Sequence, residues 1–198
     1  MKLKIGITGG IGSGKSYVCH LLENLGHIPI YYCDEEAKRL NEESPVIRKA
    51  LCELVGPDVY LQNGSLNKPV LINYLFASAE HAQQVNAIIH PVVKDDFLKW
   101  AEKQQAPIVA LEAALLFEAS YQDSLDYTIL VTAPEDLRIS RILKRDQTTE
   151  NAARKRIQVQ SSDEEKKALA NFIINNDETQ PLQEQIESVL AYLRVKLL

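Results

Sequence analysis

KLKIGITGGIGSGKS, residues 2–16, runs a buried strand straight into a glycine loop. Lys2–Thr8 has the short apolar pattern of a strand buried on both faces. Gly9-Gly10-Ile11-Gly12-Ser13-Gly14-Lys15-Ser16 then matches G-x-x-x-x-G-K-[ST] at every fixed position. Five of the eight glycines fall between Gly6 and Gly14, where backbone N–H groups must come close to phosphate oxygens. From Lys15 onward Val18, Leu21, Leu22 and Leu25 repeat at helical spacing, and Gly26 is the expected residue just past the helix end. Ile28–Tyr32 reads as a second strand. Strand, loop, helix and strand make a βαβ unit, which requires a parallel sheet.

Farther along the chain, Asp34–Gln105 shows helical patterning broken at Pro45, Gly56-Pro57, Asn63-Gly64 and Pro91. Ile108–Leu111 and Tyr127–Val131 return to the continuous apolar runs of parallel strands. Pro134 is expected at the first position of a helix continuing through Leu137–Leu143. Arg141–Lys167 is rich in basic residues and carries no strand pattern. Phe172–Ile174 reads as the last strand and Leu182–Leu197 as a closing helix. The expected fold is therefore α/β: a P-loop NTPase core of about five parallel strands, from residues 1–33, 106–140 and 170–198. Residues 34–105 form a helical acceptor-binding insertion and residues 141–169 a helical lid.

The chain has 198 residues, 27 acidic and 22 basic, for a net charge of −5. That balance disfavours broad attraction to nucleic acid or an anionic membrane. Three cysteines without C-x-x-C pairing suggest reduced thiols rather than a disulfide frame or zinc site. No apolar run is long enough to span a bilayer, and the expected location is the cytoplasm. A GTPase would carry D-x-x-G and N-K-x-D; the first is missing, and Asn67-Lys68-Pro69-Val70 lacks the final Asp. A small-molecule kinase needs only a core, an acceptor pocket and a lid. A non-catalytic ATP-binding regulator is the alternative from another class.

The triphosphate site is expected at Gly10, Ile11, Gly12, Ser13, Gly14, Lys15, Ser16 and Tyr17. Lys15 would reach the β- and γ-phosphates and Ser16 would hold Mg²⁺. Glu112 ends the third strand, where it serves either as a magnesium ligand through water or as a polar strand end. Asp34 follows the second strand, and its carboxylate is either a base for an acceptor hydroxyl or a helix cap. Among Arg141, Arg145, Arg154 and Arg156, two are expected to touch phosphate, Arg141 and Arg145 first, because they share a helix face. His90 and Glu118 are weighed as acceptor contacts against a cap neighbour and a surface charge.

Together Ile5–Ser16 (IGITGGIGSGKS), Cys33-Asp34-Glu35-Glu36-Ala37, Ile89-His90-Pro91 and Leu115-Leu116-Phe117-Glu118 resemble the dephospho-CoA kinase family. Arg145-Asp146, Arg156, Gln160, Lys166 or Lys167, and Asn176 follow the spacing of that family's lid and final strand. The resemblance covers nearly the whole chain. It implies ATP-dependent phosphorylation of the ribose 3′-hydroxyl of dephospho-CoA with Mg²⁺; a monomer or weak homo-oligomer is expected. It also implies that Asp34 is the base and that His90, Leu115 and Glu118 face the acceptor. Tyr32-Cys33 departs from the family's Asp-Ala, Tyr17 from a frequent Thr, Glu112 from an Asp, Ala114 from a Pro and Asn171 from an Asp. A nucleoside or nucleotide kinase is the nearest alternative.

Overall fold

The computed structural model describes residues 2–198. In chain order its elements begin β1 (Leu3–Thr8), α1 (Lys15–Gly26), β2 (Ile30–Tyr32), α2 (Cys33–Glu43), α3 (Pro45–Val55), α4 (Lys68–Ala77) and α5 (Ala79–Lys103). They continue with β3 (Ile108–Glu112), β4 (Tyr127–Thr132), α6 (Glu135–Asp146), α7 (Glu150–Gln158), α8 (Asp163–Leu169), β5 (Phe172–Asn175) and α9 (Leu182–Val195). The chain divides into two compact units, Met1–Tyr31 with Lys103–Leu198, and Tyr32–Glu102.

The first unit is built on a five-stranded sheet in the order β2-β3-β1-β4-β5. β1 runs parallel to both β3 and β4, and β4 parallel to β5. Ile5, Ile7, Val109, Ala110, Ile129, Leu130 and Val131 are fully buried. A central parallel strand has helices on both faces, so it reads as an unbroken apolar run rather than an alternation. The register decides which residues reach the loop after β1. Ile7 pairs with Glu112 and Thr8 with Leu130, while Thr132 pairs with Asn175. Glu112, Val131 and Asn176 therefore emerge at the carboxyl ends of their strands, where open α/β sheets bind ligands.

The second unit is helical. Ser44 caps α3, its Oγ accepting from the Ile47 N–H at 3.4 Å, with Pro45 at the first turn. Arg39 ties α2 to α5 by bonding Glu36, Glu43 and Asp96. Arg48 lies 4.1 Å from the Tyr60 ring centroid and donates to the Gly64 carbonyl, closing the 56–67 excursion.

Four local expectations change. The left-handed residue ending α1 is His27 (φ 51°), not Gly26, because the helix includes the glycine. Pro134 precedes α6 rather than starting it; its extended ψ of 142° delays the helix by one residue. Pro91 does not break the chain into two helices. It lies inside the 25-residue α5, whose buried Val85, Val93, Phe97 and Ala101 hold both halves in line. His90 is accordingly a helix-interior residue and not a cap neighbour. Asp34 does not cap α2 either: Tyr32 stands at the cap, and Asp34 lies in the first turn with its side chain exposed.

Candidate active site

Gly12 (φ 80°) and Gly14 (φ 93°) adopt left-handed backbone that a side chain would strain, and they turn the loop back toward α1. Ser13 N–H donates to Gly10 O at 3.0 Å, and the Tyr17 and Val18 N–H groups donate to Gly14 O. Gly14 stands at the helix cap and supplies no side-chain oxygen, and the first turn of α1 has no acidic residue. The positive end of that helix is therefore left for an outside anion.

The glycines also make room for protein. A Cβ on Gly9 would strike the Val131 carbonyl, one on Gly10 the Arg138 guanidinium, and one on Gly14 the Asn176 side-chain amide. A Cβ at Gly12 would come to 2.6 Å from Arg138 O. The loop is thus packed from outside by the ends of β4 and β5 and by α6. Asn176 Nδ2 donates to Ser13 O at 2.8 Å. Arg138, its side chain 8% exposed, donates from Nε to Ile11 O at 2.9 Å.

Lys15 Nζ lies 3.8 Å from Glu112 Oε1, with both side chains nearly buried. This places an ammonium and a carboxylate at the end of β1 and β3. Among the described residues no cluster of three or more His, Cys, Asp or Glu is arranged to cage a metal. A hydroxyl such as that of Ser16 and a carboxylate such as that of Glu112 are oxygen donors of the kind magnesium takes, beside waters and phosphate oxygens.

Of the four arginines, Arg141 is the one that touches the loop. Its NH1 is 3.4 Å from Gly12 O and from Ser13 O, and its NH2 donates to Asn176 O at 3.1 Å. Arg141, Gly14, Tyr17, Asn176 and Pro181 line a cavity of about 600 Å³ at the start of α1. Arg145 makes a bidentate pair with Asp146 at 2.6 and 3.0 Å, which Arg156 joins at 2.8 Å. Arg154 bonds Glu135 and Glu150.

Asp34 and His90 belong to the second unit; burial pushes the His90 imidazole below its usual pKa. Leu115 is exposed just beyond β3. Glu118 is more than a surface charge: it faces the buried Lys166 ammonium at 3.5 Å. Burial alone would raise its pKa, but a hydrogen bond with Ser161 and the positive charge of Lys166 outweigh that and hold it below the usual range. Arg138 was the residue missed. It lies one helical turn before Arg141, so i,i+3 spacing on the same face was the available signal.

A family model described as dephospho-CoA kinase matches residues 3–181. A Bacteroides fragilis protein named dephospho-CoA kinase is 48% identical over 198 residues, covering 100% of this chain and 96% of the relative. A Porphyromonas gingivalis protein of the same name is 40% identical over 195 residues, covering 98% and 96%. A Thermus thermophilus crystal structure superposes with a TM-score of 0.81 at 31% identity, covering 100% of this chain and 98% of the other. Shikimate kinase from Acinetobacter baumannii, solved with shikimate, gives 0.59 at 14% identity over 99% and 95%, a likeness of fold alone.

Proposed function

This chain belongs to the dephospho-CoA kinase family, and on that premise we propose how its residues share the transfer of a phosphoryl group from ATP to the ribose 3′-hydroxyl of dephospho-CoA. The triphosphate lies in the loop Gly10–Tyr17, against amides other than those of Ile11, Ser13 and Tyr17, which bond within the protein, with Lys15 at its β- and γ-phosphates. The purine and its ribose enter the cavity lined by Tyr17, Arg141 and Asn176. Ser16, with Glu112 through water, would hold magnesium, which when bound would offset the charge shared by the terminal phosphates.

The bond between the γ-phosphorus and the ADP oxygen breaks as a new bond forms to the ribose 3′-oxygen. The proton of that hydroxyl goes to the Asp34 carboxylate. Asp34 follows β2 by two residues in the chain, open α/β sheets bind ligands beyond the carboxyl ends of their strands, and its side chain is exposed; these support the base role. Arg141 and Arg145 offset charge on the equatorial oxygens. His90, Leu115 and Glu118 contact the acceptor. No helix among the described residues is long and apolar enough to cross a membrane. Enzymes of this family are expected in the cytoplasm, and we place the reaction there, by a monomer or weak homo-oligomer.

The observation that carries this reading is the uncapped start of α1 behind a glycine cradle, with Lys15 beside the nearly buried Glu112. The test is ADP release with and without dephospho-CoA. Lys15→Ala is expected to lose roughly 10²–10³-fold or more in kcat. Asp34→Asn is expected to lose about 10²–10⁴-fold while still binding ATP. Wild-type turnover by Asp34→Asn would remove Asp34 from the role of base, and wild-type turnover by Lys15→Ala would remove the loop from the reaction.

A further inference from the structure

Ile11, at the apex of the phosphate loop, is held at every polar atom and along its side chain by segments that follow β4. Its N–H donates to Gln160 Oε1 at 2.8 Å. Its carbonyl accepts from Arg138 Nε at 2.9 Å. Its side chain packs on the buried cluster of Ile139, Ile142 and Ala153, together with Ile157. The two side chains that grip it come from 149 and 127 residues farther along the chain.

These contacts fix two successive peptide planes. A trans peptide points its C=O and N–H to opposite sides. In the Gly10–Ile11 peptide the carbonyl takes the Ser13 N–H at 3.0 Å, while the N–H points out to Gln160. In the Ile11–Gly12 peptide the carbonyl points out to Arg138, which turns the Gly12 N–H away from Arg138. Rotating either plane would break a side-chain bond and reverse an amide of the loop.

The grip is itself anchored. Arg138 NH1 lies 3.5 Å from both carboxylate oxygens of Asp163, the first residue of α8. Three residues on, the Lys166 side chain is 1% exposed and faces Glu118 at 3.5 Å, in the segment after β3. Residues 160–166 therefore run as a strap from the loop apex to the post-β3 segment, fastened at both ends. Within the region expected to be a lid, this part is bound to the core.

We propose that Gln160 and Arg138 are positioning residues for phosphoryl transfer: by pinning the two peptides on either side of Ile11 they aim the Gly12 amide at the transferring phosphate. This rests on the kinase reaction proposed above. Neither residue touches the reacting atoms; each acts through the loop backbone. A device of this kind affects alignment in the transition state more than capture of ATP, because the other loop amides and Lys15 still hold the phosphates.

The experiment compares Gln160→Met, which keeps the length but removes the acceptor, with Gln160→Glu, which keeps an acceptor oxygen. Amide hydrogen exchange at Ile11 is read by NMR in the free protein, alongside kcat and KM for ATP. In Gln160→Met, Ile11 exchange is expected to speed up by about tenfold or more. Its kcat is expected to fall roughly 10- to 100-fold with KM for ATP changed by less than about threefold. Gln160→Glu is expected to keep Ile11 protected and to recover most of kcat. Arg138→Lys, which keeps the charge but not the guanidinium fork, is expected to lower kcat in the same way. Unchanged Ile11 exchange in Gln160→Met would show that the latch does not hold the peptide. Faster exchange with wild-type kcat, or a loss confined to KM, would show that the latch does not position the loop. A wild-type protein inert toward dephospho-CoA would instead overturn the kinase reading, and Ile11 exchange would still report the latch.

Discussion

Glu118 and Lys166 form a pair whose effect on stability has a definite sign. The Lys166 ammonium has almost no water around it, and its carboxylate partner is held below the usual range by Ser161 and Lys166 despite partial burial. A carboxylate with a lowered folded-state pKa contributes stability that is fully present above its unfolded value, about 4.3. That contribution is lost as pH falls through the folded value. Denaturant midpoints measured at pH 5.5 and pH 3.5, conditions chosen to bracket about 4.3, are expected to drop more for the wild type than for Glu118→Gln. Parallel drops would show that the pair does not feel the folded state. At this scale the sequence disclosed residues bound to a local motif: Lys15 and Ser16 are fixed by their distance from Gly14. It did not disclose Arg138, nor Glu118 as a partner of Lys166, because those contacts join residues 127 and 48 positions apart and depend on strand register. Gln160 was visible only as a matching spacing; its hydrogen bond to Ile11 appears only in three dimensions.

α5 shows what tertiary packing can override. A proline inside a helix lacks one hydrogen bond and crowds the carbonyl four residues before it, yet the helix continues from Ala79 to Lys103 around Pro91. Pro91 is exposed, so its replacement leaves no cavity. Pro91→Ala is expected to stabilise the protein by roughly 1–3 kcal/mol, the helix gain being partly offset by a freer unfolded chain. Thermal denaturation checks this; a lower melting temperature would mean that the proline relieves strain in α5. Strand positions were legible because each central strand is a run of apolar residues flanked by turn signals. Helix ends were less so. Gly26 and His27 both suit the end of α1, and only the backbone shows that His27 takes the left-handed position. Asp34, which reads as a natural cap, lies inside the helix because Tyr32 supplies the extended cap geometry.

Across the whole molecule, the order β2-β3-β1-β4-β5 puts the first strand at the centre. The loop after it is therefore bordered by the ends of β3 and β4, with the turn after β5 reaching it through Asn176. This topology lets residues from three distant stretches converge on one phosphate site, and the glycines accept their close approach. The βαβ start of the chain foretold the parallel sheet, and α2–α5 form where the strand pattern ceases after Tyr32. What sequence could not foretell was that Gln160 and Lys166, in the basic stretch after α6, would contact Ile11 and Glu118 far back in the chain. Delivery of a phosphoryl group to one particular alcohol is the reaction proposed for this fold. Its most direct test incubates the protein with ATP, magnesium and dephospho-CoA, nucleosides or shikimate, and locates the new ester by phosphorus NMR. ADP is expected to form in step with a monoester at the ribose 3′ position of dephospho-CoA, with little turnover of the other acceptors. Phosphate appearing on another acceptor or another hydroxyl while dephospho-CoA stays unchanged would contradict it.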